Sequence, residues 1–350
     1  IFSPKKDGWL KIGNLLRNKK IEAKINLDRI VSRHLGILAM TGMGKSNLVS
    51  LITKKISEVK GTVIIFDYHN DYTTLNIPNV NVIDAKINPR LLEADQFSEV
   101  LEIRENADVQ QRVLRMSFTQ EVKEAGEFWN KLEYEVDLLV NSEDKKLKEI
   151  RTSAYRVQDI IEDAQRRFDD ILDPEIGNPM DYIKEGSTNI INISELSEKQ
   201  ANVAMGFYLQ QLLKDRKNAT IAKHGKSKKQ KEYKFFEPVF IILEEAHVFI
   251  PKDHDTAAKY WAAKMAREGR KFGVGFAIVS QRPRSVDLNI LSQMGSFAIM
   301  KIIQEDDQRQ IASATESTSR ELISQLTSLN VGDAVLVGQW TNLPSMVHVE

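Results

Sequence analysis

Ala39-Met40-Thr41-Gly42-Met43-Gly44-Lys45-Ser46 is the stretch on which the reading of this chain turns. It fits the phosphate-loop pattern, with Ala39 where the first glycine usually stands. The apolar run 35–39 in front of it predicts a buried strand, and 47–59 behind it predicts an amphipathic helix. That strand–loop–helix context is what the motif requires. Small residues let backbone N–H groups turn inward around a β-phosphate, and the helix N-terminus adds the positive end of its dipole. Lys45 would reach the β- and γ-phosphates as a point charge, and the Ser46 hydroxyl would hold Mg²⁺. The stretch Thr41, Gly42, Met43, Gly44, Lys45, Ser46 and Asn47 is therefore the expected cradle of a nucleoside triphosphate such as ATP.

A second signal lies at Val239-Phe240-Ile241-Ile242-Leu243, followed by Glu244-Glu245-Ala246-His247. An apolar strand that delivers acids at its C-terminal end brings them beside the phosphate loop of a parallel sheet. Adjacent residues leaving a strand point in different directions. Glu244 is thus expected to back the Mg²⁺ shell, and Glu245 to face the γ-phosphate and polarise an attacking water. Ser280-Gln281-Arg282-Pro283 closes a neighbouring strand, where the Gln281 amide would sit beside the same phosphate. Arg267 and Arg270 end a helix just before that strand. Either would suit a cation acting across a subunit boundary, and either would equally suit a helix C-terminus decorated for its dipole. His247 and His254 lack the spacing of a helical metal-binding pair.

The 350 residues are enough for a large α/β domain with insertions or for two domains. With 42% hydrophobic and 28% charged residues, the composition is that of an ordinary globular protein. The absence of cysteine excludes disulfides, zinc–thiolate clusters and thiol catalysis. No apolar run reaches the length of a membrane span, and no leader is visible, so the expected compartment is the cytoplasm, with no membrane partner. Lys plus Arg equals Asp plus Glu, 49 each, so a polyanion site must be a local patch. The chain starts at Ile1 and stops inside what reads as a strand, which suggests a piece of a longer protein.

Residues 9–13 and 21–27 read as a small β lead-in, and 62–66 and 80–83 as further strands. Strands alternating with helices imply parallel pairing. From 94 to 172 the pattern is helical only. Ile150, Ala154, Val157, Ile161, Ala164, Phe168 and Leu172 form one apolar stripe. Val113, Met116 and Phe118, then Phe128, Leu132, Val136 and Leu139, predict more core-facing helices. Strands are expected again at 189–193, 238–243, 275–280, 296–302 and 333–337, with a helix over 198–216. Residues 216–234 read as a basic loop carrying Lys217, Lys223, Lys226, Lys228, Lys229, Lys231 and Lys234.

Taken together these segments resemble the HerA branch of the HerA/FtsK superfamily of ring-shaped DNA-pumping ATPases. The resemblance rests on Arg33-His34-Leu35 leading into the phosphate loop, and on Phe66-Asp67-Tyr68-His69-Asn70-Asp71-Tyr72. Leu243-Glu244-Glu245-Ala246-His247 with Pro251, Gly269-Arg270-Lys271-Phe272-Gly273, Ser280-Gln281-Arg282-Pro283 and Gln293 complete it. It implies an α/β, RecA-like phosphate-loop ATPase with a mainly parallel sheet and a helical insertion. The expected organisation is a β lead-in over 1–30 (the tail of an N-terminal barrel), a core over 31–93 and 173–350, and an insertion over 94–172. It also implies a homohexamer that hydrolyses ATP with Mg²⁺ between subunits, pumps double-stranded DNA, and works with a NurA-type nuclease in end resection and recombinational repair. On the family pattern Arg270 becomes the trans cation and Arg33 a second one, beside Lys45, Glu245 and Gln281 as catalytic groups. Glu244 departs from the usual aspartate and is expected to act on the metal through water. The nuclease would be expected to dock on the family's N-terminal barrel, of which at most the tail is expected before Arg29.

Two further readings remain beside it. One is a conjugation or packaging ATPase of the same superfamily; the other is a nucleotide-gated scaffold without turnover, against which Glu245 argues. For DNA, Lys252, Arg282 and Arg284 on the loops after Glu245 and Gln281 compete with the lysine-rich loop 216–234.

Overall fold

The computed structural model describes residues 8–104, 106–144, 148–169, 171–223, 233–315 and 319–350. Eleven strands form one sheet: β1 (Trp9–Leu15), β2 (Asn18–Asn26), β3 (Leu35–Leu38), β4 (Thr62–Asp67), β5 (Val80–Asp84), β6 (Thr188–Asn192), β7 (Val239–Leu243), β8 (Val274–Ser280), β9 (Ser296–Ile299), β10 (Asp333–Gly338) and β11 (Ser345–Val349). Their order is β2-β1-β11-β10-β9-β3-β8-β7-β4-β6-β5. From β9 to β5 every pairing is parallel. The other end is antiparallel, with β1 and β2 a hairpin whose first strand pairs with β11. The lead-in strands thus extend the main sheet.

The central strands β3, β4, β7 and β8 are buried at every position. Helices cover both faces of a parallel sheet, so such strands read as unbroken apolar runs, and this made them legible. Gly275 sits in β8 because a Cβ there would come within 2.7 Å of the Val31 backbone, so the helix Leu27–Arg33 can lie directly on the strand. That short helix starts at Asn26, whose side chain accepts the Arg29 N–H at 3.0 Å.

The chain packs as two compact units, the larger comprising residues up to Asp84, Ile183–Glu195 and Tyr208–Glu350. It carries the whole sheet. The smaller comprises Ala85–Tyr182 and Leu196–Phe207. Its helices include Phe128–Val140 and Arg151–Arg167, and the stripe from Ile150 to Leu172 is buried throughout. Phe97 and Phe118 meet at 4.7 Å between ring centroids, and Arg90 lies over Phe128 at 5.3 Å. Two stripe positions differ from expectation. Met116 is exposed, and Leu139 is only partly buried because the helix buries Phe128, Leu132, Val136 and Val140, a strict spacing of four.

The long helix runs Glu198–Lys223, past the expected end at 216. Arg216 is not a loop residue but 4% exposed; its guanidinium donates to the carbonyls of Phe272 (3.0 Å), Phe235 (2.6 Å) and Phe236 (2.9 Å). Lys217 and Lys223 lie on this helix, and Lys217 pairs with Glu268 at 2.5 Å. Lys226, Lys228, Lys229 and Lys231 lie outside the described residues.

Candidate active site

The loops at the C-terminal ends of β3, β8, β7 and β4 are neighbours because those strands are, and all run the same way. After β3 the chain is pinned by Ala39 N–H to the Ser280 carbonyl (3.2 Å) and Met40 N–H to the Lys301 carbonyl (3.1 Å). It turns through Gly42 at φ 77° and Gly44 at φ 100°, a region glycine enters without strain. A Cβ on Gly42 would meet nothing within 4 Å, so the turn faces open space. Gly44 caps the helix Lys45–Glu58, and no side chain bonds that cap. Free N–H groups around an open turn, with a lysine at its edge, fit an anionic phosphate group.

Lys45 Nζ lies 3.3 Å from Glu245 Oε1. Glu245 follows β7 in the left-handed region at φ 46°, an uncommon conformation for a side chain of this size. Its carboxylate is 4% exposed yet crowded with donors. Gln281 Nε2 donates to both oxygens at 3.3 Å, His247 Nδ1 stands 3.1 Å from Oε2, and His69 Nε2 3.6 Å from Oε1. Burial alone would raise this carboxyl. The hydrogen bond from His247 and the Lys45 charge overcome that and hold it at about 2. The other end of Gln281 accepts the Thr41 hydroxyl, which closes a circuit from phosphate loop to acid.

Glu244, the residue between β7 and Glu245, has a different partner. It is 5% exposed and accepts the Tyr72 hydroxyl. Burial pushes its carboxyl up, while Lys45 and the Tyr72 hydrogen bond draw it down. Ser46 stands in the first turn of the helix after the phosphate loop, and Glu244 lies within reach of the Lys45 charge. A hydroxyl and one acid suit a Mg²⁺ that keeps waters and is held mainly by phosphates.

Two of the expected cofactor residues direct their side chains away from the loop, which leaves any role in the cradle to their backbone N–H groups. Asn47 turns its side chain to the Glu350 carbonyl at 2.9 Å, and Met43 packs against the core while its carbonyl accepts Gly332 N–H at 3.0 Å. Arg33 and Arg270 sit at the N-terminal ends of β3 and β8. They line one cavity of about 400 Å³ together with Gln293, Gly295, Gln339 and Thr341. The seven residues of β8 separate Arg270 from Gln281 by roughly 20 Å at the usual rise per strand residue. Near Arg270, His34, fully buried at φ 61°, makes a 3.0 Å hydrogen bond from Nε2 to the Ala266 carbonyl. Burial and the Arg270 charge lower its pKa to about 4.

Lys252, Arg282 and Arg284 are exposed on two loops joined to each other. Lys252 N–H donates to the Ser285 carbonyl at 2.9 Å, and Pro251 bridges Val286. His69, Tyr72 and His247 at the site, and His34 at the far edge, were not expected as site residues, although all four lie in the segments that carry the family resemblance.

A family model described as the central domain of helicase HerA matches residues 10–212. The chain belongs to the HerA helicase family. It is 39% identical to the DNA double-strand break repair helicase HerA of Sulfurisphaera tokodaii, over all of this chain and 70% of that one. With the protein of the same description from Sulfolobus acidocaldarius it shares 37% identity, over 98% of this chain and 69% of the relative. Among solved structures, VirB4 of Thermoanaerobacter pseudethanolicus superposes with a TM-score of 0.69 at 14% identity, covering 99% of this chain and 97% of the other. The conjugative coupling protein TrwB gives 0.59 at 12% identity, covering 97% and 89%. At those identities the likeness speaks for the fold, which is the phosphate-loop α/β architecture expected from the HerA-type motifs. Among the described residues no helix is long and apolar enough to cross a membrane.

Proposed function

We propose that this HerA-family chain is an ATP-hydrolysing, double-stranded DNA translocase that works as a homohexameric ring in DNA double-strand break repair. The Lys45–Glu245 ion pair at 3.3 Å, bridged to the phosphate loop through Gln281, is the observation that carries the reading. Bound ATP supplies the phosphoanhydride bond that is cleaved, and Mg²⁺ neutralises charge on its phosphates. Lys45 holds Glu245 only while no phosphate competes for its ammonium. When it turns to the β- and γ-phosphates, Glu245 loses one of the charges that depress its basicity. The carboxylate then orients and polarises water, with His247 and Gln281 fixing its direction. Ser46 would hold the metal, with Glu244 supporting it. Gln281, bonded to both the phosphate loop and the acid, transmits the state of the site to the loop carrying Arg282 and Arg284.

Arg33 and Arg270 lie at the opposite strand ends, too far to serve their own nucleotide. A head-to-tail ring brings one subunit's strand starts against the next subunit's strand tips. In such a ring Arg270, with Arg33 beside it, stabilises charge on the neighbour's γ-phosphate. The repair helicases named above lend the DNA substrate, and partnership with a NurA-type nuclease in end resection is part of the same proposal. The test is displacement of a triplex-forming strand from linear duplex DNA. ATP-dependent displacement that stops when Mg²⁺ is chelated is expected; displacement indifferent to ATP contradicts the proposal.

A further inference from the structure

The segment Phe66–Tyr72 carries part of the family resemblance, yet the proposed chemistry gives none of its residues a role. Its geometry begins at Asp67, the last residue of β4, which is 1% exposed. The Asp67 carboxylate accepts the backbone N–H of Asp71 at 3.0 Å and of Tyr72 at 2.8 Å. Asn70 at φ 60° lets the chain reverse between them. The loop is thereby folded back on its own strand, and Tyr72 returns into the core with no exposed surface. Its ring packs in the cluster that includes Leu48, Val49 and Ile65.

The Tyr72 hydroxyl donates to Glu244 Oε1. A phenol has one proton to give, and here it is given to that carboxylate oxygen. The buried ring and the folded-back loop fix where the hydroxyl stands, and the hydroxyl in turn fixes one oxygen of Glu244.

We infer that Tyr72 is a positioning residue of the magnesium site, its hydroxyl orienting the Glu244 carboxylate toward the metal that accompanies the nucleotide. The inference rests on the proposed Mg²⁺–nucleotide reading and adds to it a residue that does not touch the ligand. Groups that orient metal ligands from behind typically change metal affinity 10- to 100-fold when removed. A tyrosine that merely filled the core would keep its packing when the hydroxyl alone is deleted.

Tyr72→Phe is that deletion. Binding of a fluorescent non-hydrolysable ATP analogue is measured in EDTA and across a Mg²⁺ titration, beside the thermal midpoint of the ligand-free protein. The expected result is unchanged affinity in EDTA, an unchanged midpoint, and about tenfold more Mg²⁺ required for half-maximal tightening. In a Glu244→Gln background the same substitution should shift the Mg²⁺ requirement much less, since groups acting as a unit are not additive. A Mg²⁺ requirement equal to wild type, a shift that is fully additive with Glu244→Gln, or an equal loss in EDTA and in Mg²⁺ each overturns the inference. A wild-type protein whose analogue binding ignores Mg²⁺ overturns the metal–nucleotide reading beneath it.

Discussion

Arg33 and Arg270, 237 positions apart in the chain by their numbers (270 − 33), face one cavity at the strand ends opposite the phosphate loop. The Arg33 carbonyl accepts Gly295 N–H at 2.7 Å, and a Cβ on Gly295 would clash with that carbonyl, so this wall of the cavity is held closely. Under the proposed ring, these two guanidiniums would face a neighbouring subunit's nucleotide.

Arg270→Ala subunits should bind ATP and yet be inactive as a homogeneous ring, a loss of roughly 10³–10⁵ in turnover. Mixed with Lys45→Ala subunits, they should regain activity at interfaces that pair an intact lysine with an intact arginine. Mixed rings that form and show no rescue at any ratio would count against a trans role.

His34 should make stability depend on pH. Its folded pKa of about 4 lies below the ordinary 6.5, so the unfolded chain binds the proton first as pH falls. The neutral side chain's contribution is fully present above pH 6.5 and is lost progressively between 6.5 and 4. The loss approaches about 3 kcal/mol by the usual energy per pKa unit. Denaturant midpoints from pH 7.5 to 4 should therefore fall more for wild type than for His34→Asn. Parallel curves would refute the assignment.

The two loops that carry Lys252 and Arg284 are tied to each other and follow Glu245 and Gln281 directly. Lys252→Ala with Arg284→Ala should lower both the salt dependence of duplex binding, by a slope of about 2, and the DNA-stimulated ATPase. Neutralising Lys226, Lys228, Lys229 and Lys231 should lower affinity while leaving turnover at saturating DNA intact. The reverse pattern would move the DNA track to the lysine-rich segment.

What the sequence made legible was whatever one segment expresses by itself. Val239–Leu243 announces a strand buried on both faces, and the glycines beside Lys45 announce a turn that must enter φ above zero. Arg216 misled because its partners, the carbonyls of Phe235, Phe236 and Phe272, reach it only through the fold. As a lone residue it reads as the start of a basic run. The side-chain partner of Asn47 was equally illegible, since the Glu350 carbonyl that it meets lies at the far end of the chain. Tyr72 and Glu244 lie 172 positions apart, and only the adjacency of β4 and β7 brings them together. The sheet order, which no local pattern states, thus decides which motif residues become neighbours.

The most direct measurement is ATP binding and hydrolysis by Glu245→Gln in the presence of duplex DNA. The amide keeps the size of the side chain and loses the charge that polarises water. The account predicts ATP affinity near wild type with hydrolysis lowered roughly 10²–10⁴-fold, whereas Lys45→Ala should weaken binding and hydrolysis together. Hydrolysis by Glu245→Gln at the wild-type rate would contradict the account.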